Sequence, residues 1–127
     1  MFEALIKEFV PTTWNNHEVV GLNERLRFLK YSPGQYFKAH FDGSYRRPDG
    51  SEQSFVTVQL YLNQGMAGGD TTFLSNTRAE DNVAVAPRTG RVLVFQHDLL
   101  HEGSTLLEGV KYAMRTDVMY RKASNKH

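Results

Sequence analysis

Three residues in this chain have the types and spacing of a metal site. His40 and Asp42 form a His-x-Asp pair at the end of the run QYFKAHFD (35–42). Residues i and i+2 of a strand point to one side, so both side chains can reach one cation. His101 follows the apolar run RVLVF (91–95) and supplies a third donor. Two imidazoles and one carboxylate on one side of a metal leave its other positions open, which suits non-haem Fe(II) chemistry with O2. Alone the trio is a weak signal, because His-x-Asp pairs arise by chance and β domains hold satisfied histidines. His97 stands four residues before His101 in HDLLH, a zinc pairing only on a helix. Following RVLVF and preceding Gly103, that segment reads instead as a strand end or turn. His17 and His127 lie in polar stretches and read as surface residues.

The elements that must position the trio are strands. Short apolar runs recur at LRFLKY (26–31), QYFKAHF (35–41), FVTVQLYL (55–62), TTFL (71–74), VAVA (83–86), RVLVF (91–95) and VKYAMRTDVMY (110–120). Gly, Pro, Asn and Asp clusters separate them, the pattern of an all-β sandwich or barrel, jelly rolls included. Alternation puts Val56, Val58, Leu60 and Leu62 on one face and Phe55, Thr57, Gln59 and Tyr61 on the other. In the last run Lys111, Ala113, Arg115 and Asp117 share a face opposite Val110, Tyr112, Met114, Thr116 and Val118. The segment GSYRRPDGSEQS (43–54) reads as a surface loop beginning beside the metal site, placed to touch substrate, with Arg46 and Arg47 solvated. Before Pro11, the residues Phe2, Leu5, Ile6 and Phe9 recur at the spacing of one short amphipathic helix.

Composition narrows the function classes. The chain has 127 residues, 40% hydrophobic and 23% charged, with 15 Lys plus Arg against 14 Asp plus Glu. That is one domain with its own core. A charge of +1 argues against a dedicated nucleic-acid or membrane-surface binder. Absence of cysteine excludes disulfides, thiolate zinc sites, iron–sulfur clusters and thiol nucleophiles. The first ten residues lack the continuous apolar block of a signal peptide, and no run is long enough to span a membrane. A cytoplasmic protein is expected.

Five stretches in order raise the trio above chance: YSPGQYFKAHFD (31–42), VQLYLN (58–63), GGDTTF (68–73), PRTGRVLVF (87–95) and HEGSTLLEGVKYAMRTDVMY (101–120). Together they resemble the 2-oxoglutarate- and Fe(II)-dependent oxygenases, specifically the prolyl 4-hydroxylase-like family. The likeness runs from about Arg25 to Tyr120. It implies a mainly β, double-stranded β-helix (jelly-roll or cupin-like) with a short N-terminal helix, forming one domain over 1–127 with its core at about 25–120. Fe(II), 2-oxoglutarate and O2 are the implied cofactors, with ascorbate as a reductant, and His40, Asp42 and His101 match the iron ligands.

Lys111 matches the basic residue that holds the distal carboxylate of 2-oxoglutarate. Fe(II), one aspartate and a dianion sum to −1, so one further cation would neutralise the occupied site. Tyr61 matches a tyrosine bonding the same carboxylate, Tyr31 matches a pocket tyrosine, and Thr71 of Gly-Gly-x-Thr offers a further hydroxyl. Arg115 has three open roles: the cosubstrate's inner carboxylate, a substrate anion, or an ion pair with Asp117. If Lys111 pointed away, Arg115 would replace it, since a guanidinium grips carboxylates bidentately. The implied reaction hydroxylates a peptidyl proline, another side chain or a small molecule, releasing succinate and CO2. The alternatives are a non-catalytic binding module on the same β-helix and a zinc hydrolase using the same trio. Family members carry several helices ahead of the first core strand, covering the larger sheet; here about 24 residues precede LRFLKY. Either the form is minimal or truncated, or that face pairs with another chain as a homo-oligomer.

Overall fold

Alternating β-branched and polar residues between glycine-containing turns yield strands, and twelve form among the described residues. The structure, a computed structural model, describes residues 7–123. The strands are β1 (Thr13–Trp14), β2 (His17–Leu22), β3 (Arg27–Tyr31), β4 (Phe37–His40), β5 (Glu52–Tyr61), β6 (Ala67–Gly68), β7 (Thr71–Phe73), β8 (Val83–Val85), β9 (Val92–Gln96), β10 (His101–Gly103), β11 (Leu106–Glu108) and β12 (Lys111–Lys122). All seven expected runs are among them. The expected N-terminal helix lies outside the described residues as far as residue 6, and Lys7–Phe9 make one 3-10 turn.

The larger sheet runs β1-β2-β12-β5-β9, with β3 also on β12. Twelve residues make β12 long enough to take two partners on one edge. Val118–Lys122 pair with β2 and Lys111–Arg115 with β3, while β5 runs along the other edge. The smaller sheet is β4-β10-β7-β8, and β11 pairs β6 in a two-stranded ribbon. The result is a double-stranded β-helix.

Register decides which side chains reach its interior. Thr57, Gln59 and Tyr61 of β5 stand opposite Asp117, Arg115 and Ala113 of β12, and Arg115 and Ala113 face Arg27 and Leu29 of β3 across the other edge. On the opposite face Val10, Val56, Val58, Val118 and Tyr120 form a buried cluster, with Trp14, Val19, Leu22, Phe55, Val92 and Val94 packed on it. Phe55 thus departs from its expected side. The pairing of β5 with β12 slips between Val118↔Val56 and Met119↔Ser54, and this bulge turns Phe55 onto the rings of Trp14, His17 and Tyr120.

β1 and β2 were not among the expected runs. They close through Asn15-Asn16, both with positive φ (44° and 62°), the two-residue I′ type of turn that suits the twist of a hairpin.

Candidate metal centre

His40 and His101 are brought together because β4 and β10 pair antiparallel with these two residues directly opposed. Each ring places Nδ1 on the carbonyl two residues earlier: His40 on Lys38 at 2.7 Å and His101 on Leu99 at 2.9 Å. Donation from Nδ1 leaves both Nε2 lone pairs free to bind a metal. They converge on Asp42 Oδ1, each at 3.4 Å. Asp42 lies just past β4, its amide donating to the His97 carbonyl at 3.1 Å. The three donor atoms fall within 4.8 Å of one another.

Asp42 is 8% exposed, yet its Oδ1 has no hydrogen-bond partner. Its other oxygen, Oδ2, accepts from Thr57 Oγ1 at 2.6 Å. A buried carboxylate oxygen without a donor is costly unless a cation meets it. Two imidazole nitrogens and that oxygen fit a divalent transition metal. Burial alone would raise the Asp42 carboxyl; the close approach of His101, the Thr57 bond and the Arg115 charge outweigh it and hold the group well below the usual carboxylate range. Burial likewise works against protonated His101, but Asp42 and the Leu99 carbonyl prevail and raise it. Phe95 and Phe73 wall the His101 ring, at centroid distances of 4.8 and 5.9 Å.

Beside the trio is a small cleft, lined among others by Tyr31, Gln59, Thr71, Lys111, Ala113 and Arg115. Lys111 is 3% exposed and makes no ion pair or hydrogen bond among the described residues. Its Nζ lies 4.8 Å from the Tyr31 ring centroid and 5.7 Å from that of Tyr61. Burial lowers Lys111 from 10.5 to about 8, opposed by the charge of Asp70. The Tyr61 hydroxyl pairs with Thr71 Oγ1 at 2.6 Å, and Gln59 Nε2 donates to the same oxygen at 3.0 Å. Burial raises the hydroxyls of both Tyr61 and Tyr31.

The structure therefore brings His40, Asp42, His101, Lys111, Tyr31, Thr71 and Arg115 around one space, with Tyr61 fully buried behind Thr71 rather than lining it. Among the open roles of Arg115, the pair with Asp117 is not formed. The nearest carboxylate is Asp42, whose Oδ1 lies 3.4 Å from Nη1. Asp117 instead sits against His97, Nε2 to Oδ1 at 3.4 Å. His97 is outside the metal trio, in the turn between β9 and β10. Arg47, expected to be solvated, pairs with Glu24 and Glu52 and ties the 43–51 loop down. Sequence reasoning missed Thr57 as the partner of Asp42, although its place on the Gln59–Tyr61 face was available as a signal.

A sequence model of the 2OG-Fe(II) oxygenase superfamily matches residues 26–116. Prolyl 4-hydroxylase 2 of Arabidopsis thaliana is 31% identical over 117 residues, covering 71% of this chain and 39% of that protein. Probable prolyl 4-hydroxylase 11 of the same plant is 34% identical over 74 residues, covering 57% and 24%. The chain thus spans well under half the length of these curated relatives. In fold it resembles a prolyl hydroxylase from Trichoplax adhaerens solved with a hypoxia inducible factor peptide fragment (TM-score 0.62, 24% identity, 85% of this chain and 47% of that one). It also resembles a Pseudomonas putida prolyl-4-hydroxylase (TM-score 0.57, 20% identity, 86% and 56%).

Proposed function

The chain belongs to the 2OG-Fe(II) oxygenase superfamily, and on that premise we propose that it hydroxylates a C–H bond of a peptide or small-molecule substrate. The balance is substrate C–H plus O2 plus 2-oxoglutarate, giving C–OH, succinate and CO2. One observation carries the reading: the buried Asp42 Oδ1, which accepts no hydrogen bond, with a free Nε2 on either side. Iron and 2-oxoglutarate, when bound, supply the activation of O2 and the two electrons that its second oxygen atom requires.

This chain's residues do the rest. His40, Asp42 and His101 would hold the metal from one side. The Lys38 and Leu99 carbonyls fix the two rings, and Thr57 fixes the carboxylate. Lys111 is buried and makes no ion pair among the described residues, and it would take a dicarboxylate's far end. A carboxylate placed there gains a full charge contact and restores the ammonium that burial opposes. The Tyr61–Thr71 hydroxyl pair stands beside it to donate. The rings of Phe73 and Phe95 keep water from one side of His101.

The test is an anaerobic titration with Fe(II) and then 2-oxoglutarate, reading the visible charge-transfer band. We expect a band in the unaltered protein, none in His40→Ala, and a 2-oxoglutarate Kd raised at least tenfold in Lys111→Met. Folded, iron-loaded protein with no band would overturn the reading.

A further inference from the structure

Arg115 is the wall between two spaces. On one side is the cleft of the metal trio; on the other is a second cavity lined by Asn23, Glu24, Arg25, Arg27, Tyr45, Thr116, Asp117 and Arg115 itself. Its lining carries three guanidinium groups and no aliphatic side chain. Two carboxylates are also present, and Asp117 Oδ1 accepts no hydrogen bond. Glu24 accepts two bonds from Arg47 at 2.8 and 3.0 Å, and Asp117 lies against His97. Arg25 and Arg27 have no ion pair among the described residues.

The cavity is also built. Thr116 Oγ1 lies 2.9 and 3.0 Å from the Asn23 and Arg25 carbonyls, and the Asn23 amide donates to Asp117. Asn23 Oδ1 takes the Arg25 amide at 3.0 Å. These bonds pin the link from β2 to β3 against β12, so Arg25 is presented from an anchored backbone. Arg27 stands directly opposite Arg115 in the β3–β12 register.

From this geometry we infer that the second cavity binds an oxyanion, a carboxylate or phosphate carried by the substrate, and sets the bond to be hydroxylated beside the metal. Planar guanidinium groups grip such oxygens bidentately. Arg115 borders both spaces, and its Nη1 lies 3.4 Å from Asp42 Oδ1. An uncharged prolyl ring would leave the three guanidinium groups of this lining without a counter-charge. The substrate role rests on the oxygenase reading; the anion site does not.

The test uses the full chain without iron or 2-oxoglutarate, labelled with nitrogen-15. Inorganic phosphate and N-acetylaspartate are titrated separately, with N-acetylproline amide as the neutral probe. The Nε–H signals of Arg25, Arg27 and Arg115 should shift together and saturate with at least one anion. The tighter anion then identifies the group the substrate carries. Arg25→Gln/Arg27→Gln, both at exposed positions, should raise Kd at least tenfold while the fold stays intact by circular dichroism. Lys111→Met should leave this Kd unchanged. The inference is overturned by shifts confined to the Lys111 end, by no saturable shift, or by equal affinity for the neutral probe. Because iron and 2-oxoglutarate are absent, such a failure leaves the oxygenase reading standing. Anion binding in a protein that gives no charge-transfer band would overturn the substrate role instead.

Discussion

Thr57 and Lys111 make the metal centre and its neighbouring pocket directional. Thr57 holds Oδ2 of Asp42 and leaves Oδ1 to face the two imidazoles. Replacing Thr57 with Val keeps shape and removes the donor. Metal affinity should fall by about 10- to 100-fold, read by competition with a chelator, while Thr57→Ser keeps most of it. Lys111 carries a pH signature. At about 8 it lies below the ordinary 10.5, so the unfolded chain holds the proton between those values. Stability should therefore rise as pH climbs from about 8 to 10.5. Cosubstrate binding should run the other way. Below about 8 the ammonium is present and Kd is flat. Above it, Kd should increase about tenfold per pH unit until the bound lysine itself deprotonates. Calorimetry across pH 7 to 10 reads this, and Lys111→Met should remove the slope.

The ribbon of β6 and β11 explains the glycines before Thr71. Gly68 has φ +75°, and a Cβ there would sit 2.4 Å from the backbone oxygen of Thr105. Neither the dihedral nor the backbone contact can relax cheaply. Gly68→Ala should cost about 2 kcal/mol or more by denaturant unfolding. It should also weaken 2-oxoglutarate binding, since the adjacent Gly69 abuts the Lys111 stem, with a Cβ built there only 3.3 Å from Cδ. The β1–β2 hairpin, by contrast, lies away from the metal and serves the core, placing Trp14 and His17 on Phe55.

Across the whole molecule, β12 is the common member: it borders β2, β3 and β5, and its two faces serve the core and the site. The N-terminal segment is tied to it by Tyr120, fully buried, whose hydroxyl donates to the Pro11 carbonyl at 2.7 Å. Tyr120→Phe should cost about 1 kcal/mol by thermal unfolding and leave the charge-transfer band in place. On the core side of the sheet, coverage is incomplete. Phe28 and Tyr112, neighbours through the Lys30–Tyr112 and Phe28–Met114 register, remain exposed. No helix among the described residues is long and apolar enough to cross a membrane.

Period-two alternation made much of this readable in one dimension. The faces of β5 and β12 follow from residue order alone, because a strand's side chains alternate whatever it packs against. The order of five motifs likewise carried the family, the trio and Lys111. Other features depended on tertiary pairing. The slip in the β5–β12 register turned Phe55 to the core. Donation by Thr57 to Asp42 needed two distant strands to meet. The approach of Arg115 to Asp42 and not to Asp117 was a matter of how the strands meet. The second cavity exists only because β2 and β3 share one edge of β12, bringing Arg25 and Arg27 to Arg115, nearly ninety positions away in the chain. Alternation is a local property of the backbone, whereas register, bulges and ion-pair choice are settled by competition among segments that meet only when the chain folds.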